Sequence, residues 1–169
     1  MHLHEDFPSN PDKLYPLLVQ QLQAITDNVP HKIANLANTS ALLWEALDNL
    51  NWVGFYLREG DTLVLGPFQG KVACIEIPMG RGVCGTAAAR GETVRVEDVH
   101  AFPGHIACDS ASNSEIVIPL FRNGEVVGVL DIDSPLIGRF DESDQAALEK
   151  LVALIEAGCD FSRCGYTLQ

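Results

Sequence analysis

Between Asn51 and Leu65 the chain alternates as a strand does, turns, and alternates again, and the same pattern returns nearer the C-terminus. Val53, Phe55 and Leu57 fall on one side of the first strand, with Trp52, Gly54 and Tyr56 on the other. Glu59-Gly60-Asp61 then turns it into a second strand through Leu63, Val64 and Leu65. A further hairpin is predicted from Glu115–Leu120 and Val126–Asp133 around Asn123-Gly124. Apolar residues recur at helical spacing over Lys13–Thr26 and Ile33–Leu50, which Pro30 separates. The same spacing returns over Glu142–Ala157, capped by Asp141 and burying Leu148, Leu151, Val152 and Ile155. A shorter strand, Ala73–Ile77, ends at Pro78. The glycines of Gly80–Gly85 lead from there into a helix over Thr86–Arg90, which puts Cys84 near a helix N-terminus, and Thr93–Val96 is a short strand. Helices around a largely antiparallel sheet restrict the fold to an α+β domain, in which one sheet face packs on helices and the other can hold a ligand beneath long connections. The segment from Glu97 to Ser114 is the candidate lid.

A chain of 169 residues that is 47% hydrophobic fills one core, so a single domain over 1–169 is expected, with a polar start over about 1–12 and a tail over about 159–169. No apolar run approaches the roughly 20 residues of a membrane helix. The first residues lack the basic and apolar regions of a signal peptide, so a soluble, cytoplasmic protein is expected. With 11 basic against 23 acidic side chains the net charge is −12, which repels phosphate backbones and anionic membranes. Nucleic acid and membrane partners are therefore disfavoured, and a small cationic or zwitterionic partner is favoured. The five cysteines, at 74, 84, 108, 159 and 164, form no CxxC pair and no zinc spacing; a reducing compartment would keep them as thiols, with transient redox chemistry open.

Cys108 stands in the run His105-Ile106-Ala107-Cys108-Asp109-Ser110-Ala111-Ser112, whose small and polar residues leave backbone amides free to meet a ligand. A strand that begins with Glu115 follows at once. Asp131 and Asp133 lie two apart on the strand Val126–Asp133 and so share a face. A three-residue turn would set Glu115 opposite Asp131, whereas a two-residue turn would set it opposite Ile132; the first register is the expectation. Three converging acids imply a bound cation, a shared proton, or both, and an ammonium group would satisfy them. A divalent metal is a weaker reading, because hard-cation sites usually draw more oxygens from a continuous loop. The alternative is that the acids terminate strands at a solvated edge. Trp52 and Tyr56 flank Gly54 on one face and leave space for a small apolar group between two rings, although core packing is the commoner role for such aromatics. Cys84, near a helix N-terminus, would have its thiolate favoured, and Cys74 enters the same glycine-rich connection. Cys159 and Cys164 are read as bystanders.

These residues resemble the free methionine-(R)-sulfoxide reductases, which are built on a GAF domain. The resemblance runs from Trp52 to the last helix. It rests on Asn51-Trp52-Val53-Gly54-Phe55-Tyr56, Gly66-Pro67-Phe68-Gln69-Gly70, Gly80-Arg81-Gly82-Val83-Cys84-Gly85, His105-Ile106-Ala107-Cys108-Asp109 and Leu130-Asp131-Ile132-Asp133-Ser134. It implies reduction of the free amino acid with no cofactor or metal, recycling by thioredoxin, and a homodimer. It also implies Cys108 as the attacking cysteine, Cys74 and Cys84 as candidates to resolve it, Glu115, Asp131 and Asp133 as substrate acids, and Trp52 and Tyr56 as pocket aromatics. Without an obvious arginine or lysine for the substrate carboxylate, backbone amides of the Asp109–Ser112 loop are expected to bind it. The competing functions are a GAF module that senses a small molecule without turnover and a thiol redox sensor. The carboxylate set favours the enzyme over the redox sensor, which needs no acids for an amino acid.

Overall fold

The computed structural model describes residues 7–106 and 109–161. Helices α1 (Pro11–Thr26) and α2 (Lys32–Ala46) precede strands β1 (Trp52–Glu59), β2 (Thr62–Gly70) and β3 (Glu76–Pro78). Helix α3 (Gly82–Arg90), strand β4 (Val94–Val96), strands β5 (Ser114–Arg122) and β6 (Glu125–Ser134) and helix α4 (Glu142–Gly158) follow. The strands form one sheet in the order β3-β2-β1-β6-β5-β4, with every neighbouring pair antiparallel. The α+β expectation holds. Among the described residues no helix is long and apolar enough to cross a membrane.

Local chemistry sets the ends of the elements. Pro11 opens α1, where its missing N–H costs nothing, and the Asn10 side chain accepts from Asp12 N. At α4 the Asp141 carboxylate accepts from Ser143 N and Asp144 N, while the Asp144 carboxylate accepts from Asp141 N, a reciprocal capping box. Helix α2 ends at Ala46, earlier than its apolar spacing suggests, and Leu47 lies buried beyond it. Strand β2 runs to Gly70 and β3 begins only at Glu76, so residues 73–75, expected as the start of the strand Ala73–Ile77, belong to the loop between them.

The period-2 alternation of the strands separates two apolar clusters. Val53, Phe55, Ile116, Ile118, Leu130 and Ile132 face α1, α2 and α4. Trp52, Tyr56, Val117 and Val129 face the other way, toward α3, whose Val83, Cys84, Ala87 and Ala88 pack on them. The small side chains of α3 bring it close to the sheet at the level of the acids.

Candidate active site

The register of β5 on β6 differs from both expectations. Asn123 and Gly124 have φ of 51° and 79°, the left-handed pair that a two-residue hairpin requires, and Arg122 pairs with Glu125. The three-residue turn is thus wrong. Between Leu120 and Phe121 the register then shifts, Leu120 opposing Gly128 and Phe121 opposing Val126, so that Glu115 pairs with Asp133 and Val117 with Asp131. The bulge has a consequence for the site. A regular two-residue hairpin would have set Glu115 opposite Ile132, whose side chain points to the helical core; the extra residue returns Glu115 to the face of the aspartates.

Strand β1 completes that face, with Trp52 opposite Asp133 and Gly54 opposite Asp131. Glu115 and Asp131 are buried, and Oδ1 of Asp131 has no hydrogen-bond partner. Burial pushes Glu115, Asp131 and Asp133 well above the usual carboxylate range, and the neighbouring acids reinforce the shift in each. The cluster therefore retains protons that isolated carboxyls would release, and its titration belongs to the group. A solvated strand edge does not describe these side chains.

Trp52 and Tyr56 stand on the predicted face, but the gap expected between them is closed. Their rings stack directly with centroids 5.8 Å apart, and Phe68 also stacks on Trp52, at 5.2 Å. A Cβ at Gly54 would lie 2.3 Å from the Phe68 Cβ, so the glycine admits β2 and not a ligand. The aromatics form a wall, and Phe68, which sequence reasoning left unassigned, is part of it. Tyr56 donates its hydroxyl to the Cys74 carbonyl and Trp52 its indole N–H to the Lys71 carbonyl, which ties the β2–β3 loop to that wall.

Cys84 lies in the first turn of α3, as expected, but burial and the adjacent Asp131 and Glu115 push its thiol up, against the thiolate-favouring effect of a helix N-terminus. Its Sγ is 3.9 Å from Glu115 Oε1. Cys74 is disulfide-bonded, while Cys84 and Cys159 are free and buried. Cys108 and Cys164 lie outside the described residues.

The pocket bounded by these groups is closed over by the connection before β5, from which His105, Ile106, Asp109 and Ser112 contribute to its lining. Nε2 of His105 sits 3.7 Å from Glu115 Oε2, and burial lowers the affinity of the imidazole for a proton. Asn51 donates to Asp109 and to Ser112 Oγ, pinning the loop to the start of β1. The expected amide cradle is partly spent within the loop itself, since Ala111 N donates to the Asp109 carboxylate and Ser112 N to the Asp109 carbonyl. The cations that the sequence left unassigned are present instead: Arg81 lines the pocket, and Lys71 Nζ lies 3.5 Å from Asp109. Arg81 immediately precedes α3 in the Gly-Arg-Gly run, and nothing local in that run marks it as a pocket residue.

The GAF domain family matches residues 36–158. A free methionine-R-sulfoxide reductase of Escherichia coli K12 is 57% identical over 147 residues, covering 87% of this chain and 89% of that protein. The protein of the same name from Saccharomyces cerevisiae is 44% identical, covering 95% and 93%. Among solved structures, the free methionine-R-sulfoxide reductase of Neisseria meningitidis in complex with its substrate superposes with a TM-score of 0.89 at 48% identity, covering 93% of this chain and 95% of that one. With this identity along nearly the whole length of each protein, the chain belongs to the GAF-domain free methionine-R-sulfoxide reductases.

Proposed function

We propose that the protein reduces free methionine-(R)-sulfoxide with Cys108 as nucleophile, Cys74 as the resolving thiol, and Glu115, Asp131 and Asp133 as the groups that hold the substrate ammonium and protonate its oxygen. The oxidoreductase activity goes with the family; the residue roles are our reading. The observation that carries them is the buried set of acids on one sheet face, with an unpartnered Asp131 oxygen, beside an aromatic wall. A protonated amino group neutralises such a set, and an amide nitrogen does not.

In the first step the Cys108 sulfur attacks the substrate sulfur, a carboxyl of the cluster gives its proton to the sulfoxide oxygen, and oxygen transfer leaves methionine and a sulfenic acid on Cys108. The Cys74 thiolate then attacks that sulfur, water departs, and a disulfide remains. Support for Cys74 over Cys84 as the resolving thiol comes from the disulfide at Cys74 with Cys84 free, and the pocket positions of Ile106 and Asp109 suit a nucleophile in the segment between them. Arg81 at the pocket is the counter-charge for the substrate carboxylate. A thioredoxin-type dithiol in the cytoplasm returns both cysteines to thiols. We expect a homodimer; Ile33 and Trp44, three helical turns apart on α2 and both exposed, offer an apolar face for it.

The test is anaerobic incubation of the reduced protein with each sulfoxide epimer of free methionine and of N-acetylmethionine, counting thiols lost per methionine formed. Two thiols should disappear per methionine, with the free R epimer alone. Equal rates on free and acetylated substrates, or a methionine still formed by Cys108→Ser, would overturn the assignment.

A further inference from the structure

We propose that the same pocket is a binding site for a thiophilic divalent cation, zinc foremost, held by Cys84, Glu115 and Asp131, and that the cation and the amino-acid substrate exclude each other. The exclusion rests on the substrate role given above to the acids; the metal site itself does not.

One ligand atom from each of Cys84, Glu115 and Asp131 lies within 4.8 Å of the others, and the Sγ to Oε1 edge is 3.9 Å. Zinc bonded to sulfur at about 2.3 Å and oxygen at about 2.0 Å in a tetrahedron needs edges of roughly 3.3–3.6 Å, so small side-chain adjustments close the site. Three protein ligands leave the fourth position of a tetrahedral site to water, and His105 stands just outside the group, its Nε2 3.7 Å from the second Glu115 oxygen. Asp131 is only 6% exposed and its Oδ1 has no hydrogen-bond partner, a buried acceptor that a cation would satisfy.

The donor types select the metal. A sulfur and two carboxylates suit zinc, whereas calcium and magnesium require more oxygens and reject thiolate. The donors come from α3, β5 and β6, which pack together, so no loop has to order around the ion. Cys84 is also free while Cys74 is disulfide-bonded, so the set outlasts oxidation of Cys74. A net charge of −12 draws cations toward the molecule.

The experiment uses the full chain carrying Cys159→Ser and Cys164→Ser, titrated with zinc chloride against a chromogenic chelator and with cobalt(II) chloride by absorption. Methionine binding to the metal-free protein is measured separately by calorimetry. One zinc per chain should bind, cobalt should give the thiolate charge-transfer band of a tetrahedral site, and saturating methionine should weaken zinc at least tenfold. The band should vanish in Cys84→Ser and persist in Cys108→Ser; Glu115→Gln, which keeps the thiol and the side-chain shape, should weaken zinc at least tenfold. A cobalt band that survives Cys84→Ser, or zinc affinity unchanged in Glu115→Gln, overturns the site. If methionine binds and zinc does not, the metal inference falls and the reductase reading stands. If zinc binds through Cys84 and methionine does not bind at all, the substrate role of the acids falls, and mutual exclusion with it.

Discussion

Tyr56 donates its hydroxyl to the main-chain carbonyl of Cys74 at 3.0 Å. The ring that walls the pocket therefore also holds the loop that carries Cys74, proposed above as the resolving thiol, and Trp52 repeats the arrangement three residues earlier at Lys71. Since Tyr56→Phe keeps the ring and removes only this bond, it separates the two duties. Losing a neutral hydrogen bond costs about 0.5–1.5 kcal/mol. The expected outcome is a single-turnover yield of methionine equal to the parent's, with disulfide formation slowed up to about tenfold and a longer-lived sulfenic acid. Trapping with a sulfenic-acid reagent during one turnover reads the difference; an unchanged rate of disulfide formation refutes the coupling.

Gly54 is set by packing, and its replacement tests the aromatic wall. A Cβ there would meet Phe68 Cβ at 2.3 Å, Phe68 Cα at 2.8 Å and the Trp52 ring at 2.8 Å, and the backbone atom cannot swing aside. Gly54→Ala should destabilise the fold by at least about 1–3 kcal/mol, the usual cost of overpacking, and shift Trp52 with it. Chemical denaturation followed by indole fluorescence measures both effects. A variant as stable as the parent with unchanged emission would show that β2 does not press on this position.

Much of the frame was legible because short-range chemistry decides it. The alternation of β1, the Asn-Gly turn and the Asp141 cap each act within a few residues, and each appears where expected. The acid cluster was legible as a shared face, but its register was not, because the bulge between Leu120 and Phe121 answers to how β6 seats on β1 and to the contact of β5 with α4, where Phe121 N donates to Glu156, and leaves no local mark. Phe68 escaped notice for a similar reason: its place beside Gly54 depends on pairing between β1 and β2 that is itself irregular. Arg81 joins the pocket lining, and Lys71 reaches Asp109 beside it, only through the meeting of loops distant in sequence. The thiol state of Cys84 was misjudged because a helix terminus can be seen in sequence and full burial beside two acids cannot.

Away from the pocket, Tyr15, Arg139 and Asp144 form a buried network that no sequence pattern announced. The Tyr15 hydroxyl donates to Asp144 Oδ1, Arg139 Nη1 is 3.1 Å from Asp144 Oδ2, and Arg139 Nε donates to the Asp48 carbonyl. The Asp144 carboxylate thus joins α1 to α4, and Arg139 extends the clamp to the segment after α2. Tyr15→Phe should cost about 1–2 kcal/mol, the scale of a hydrogen bond to a charged group. Asp144→Ala should cost about 3–5 kcal/mol, because it leaves a mostly buried guanidinium and a buried phenol without their partner and removes half of the capping box. Urea unfolding of both variants orders them. If Asp144→Ala proves no worse than Tyr15→Phe, the ion pair contributes nothing net.

If the acid cluster holds the substrate ammonium as proposed, it trades stability of the ligand-free protein for binding, and pH exposes the exchange. Glu115, Asp131 and Asp133 hold protons in the folded state above their ordinary values of 4.5, 3.8 and 3.8. Their contribution is therefore complete below about pH 4 and is lost as pH rises through the elevated folded values. Asp109 and Asp141, which backbone donors hold below the usual range, act oppositely, losing their contribution only as pH falls through those lowered values. The ligand-free protein should consequently melt at lower temperature as pH increases from about 4 toward neutrality. Each of Glu115→Gln, Asp131→Asn and Asp133→Asn should flatten that decline and melt no earlier than the parent at neutral pH, since the Glu115–Asp133 pair sits directly opposite across the strands. The same variants should bind methionine more weakly by about 1–3 kcal/mol, having lost a charged acceptor for the ammonium. Melting curves across pH and calorimetric binding at neutral pH must move in opposite directions. Neutral variants that bind methionine as tightly as the parent and melt earlier would assign the acids a structural duty and remove them from substrate binding.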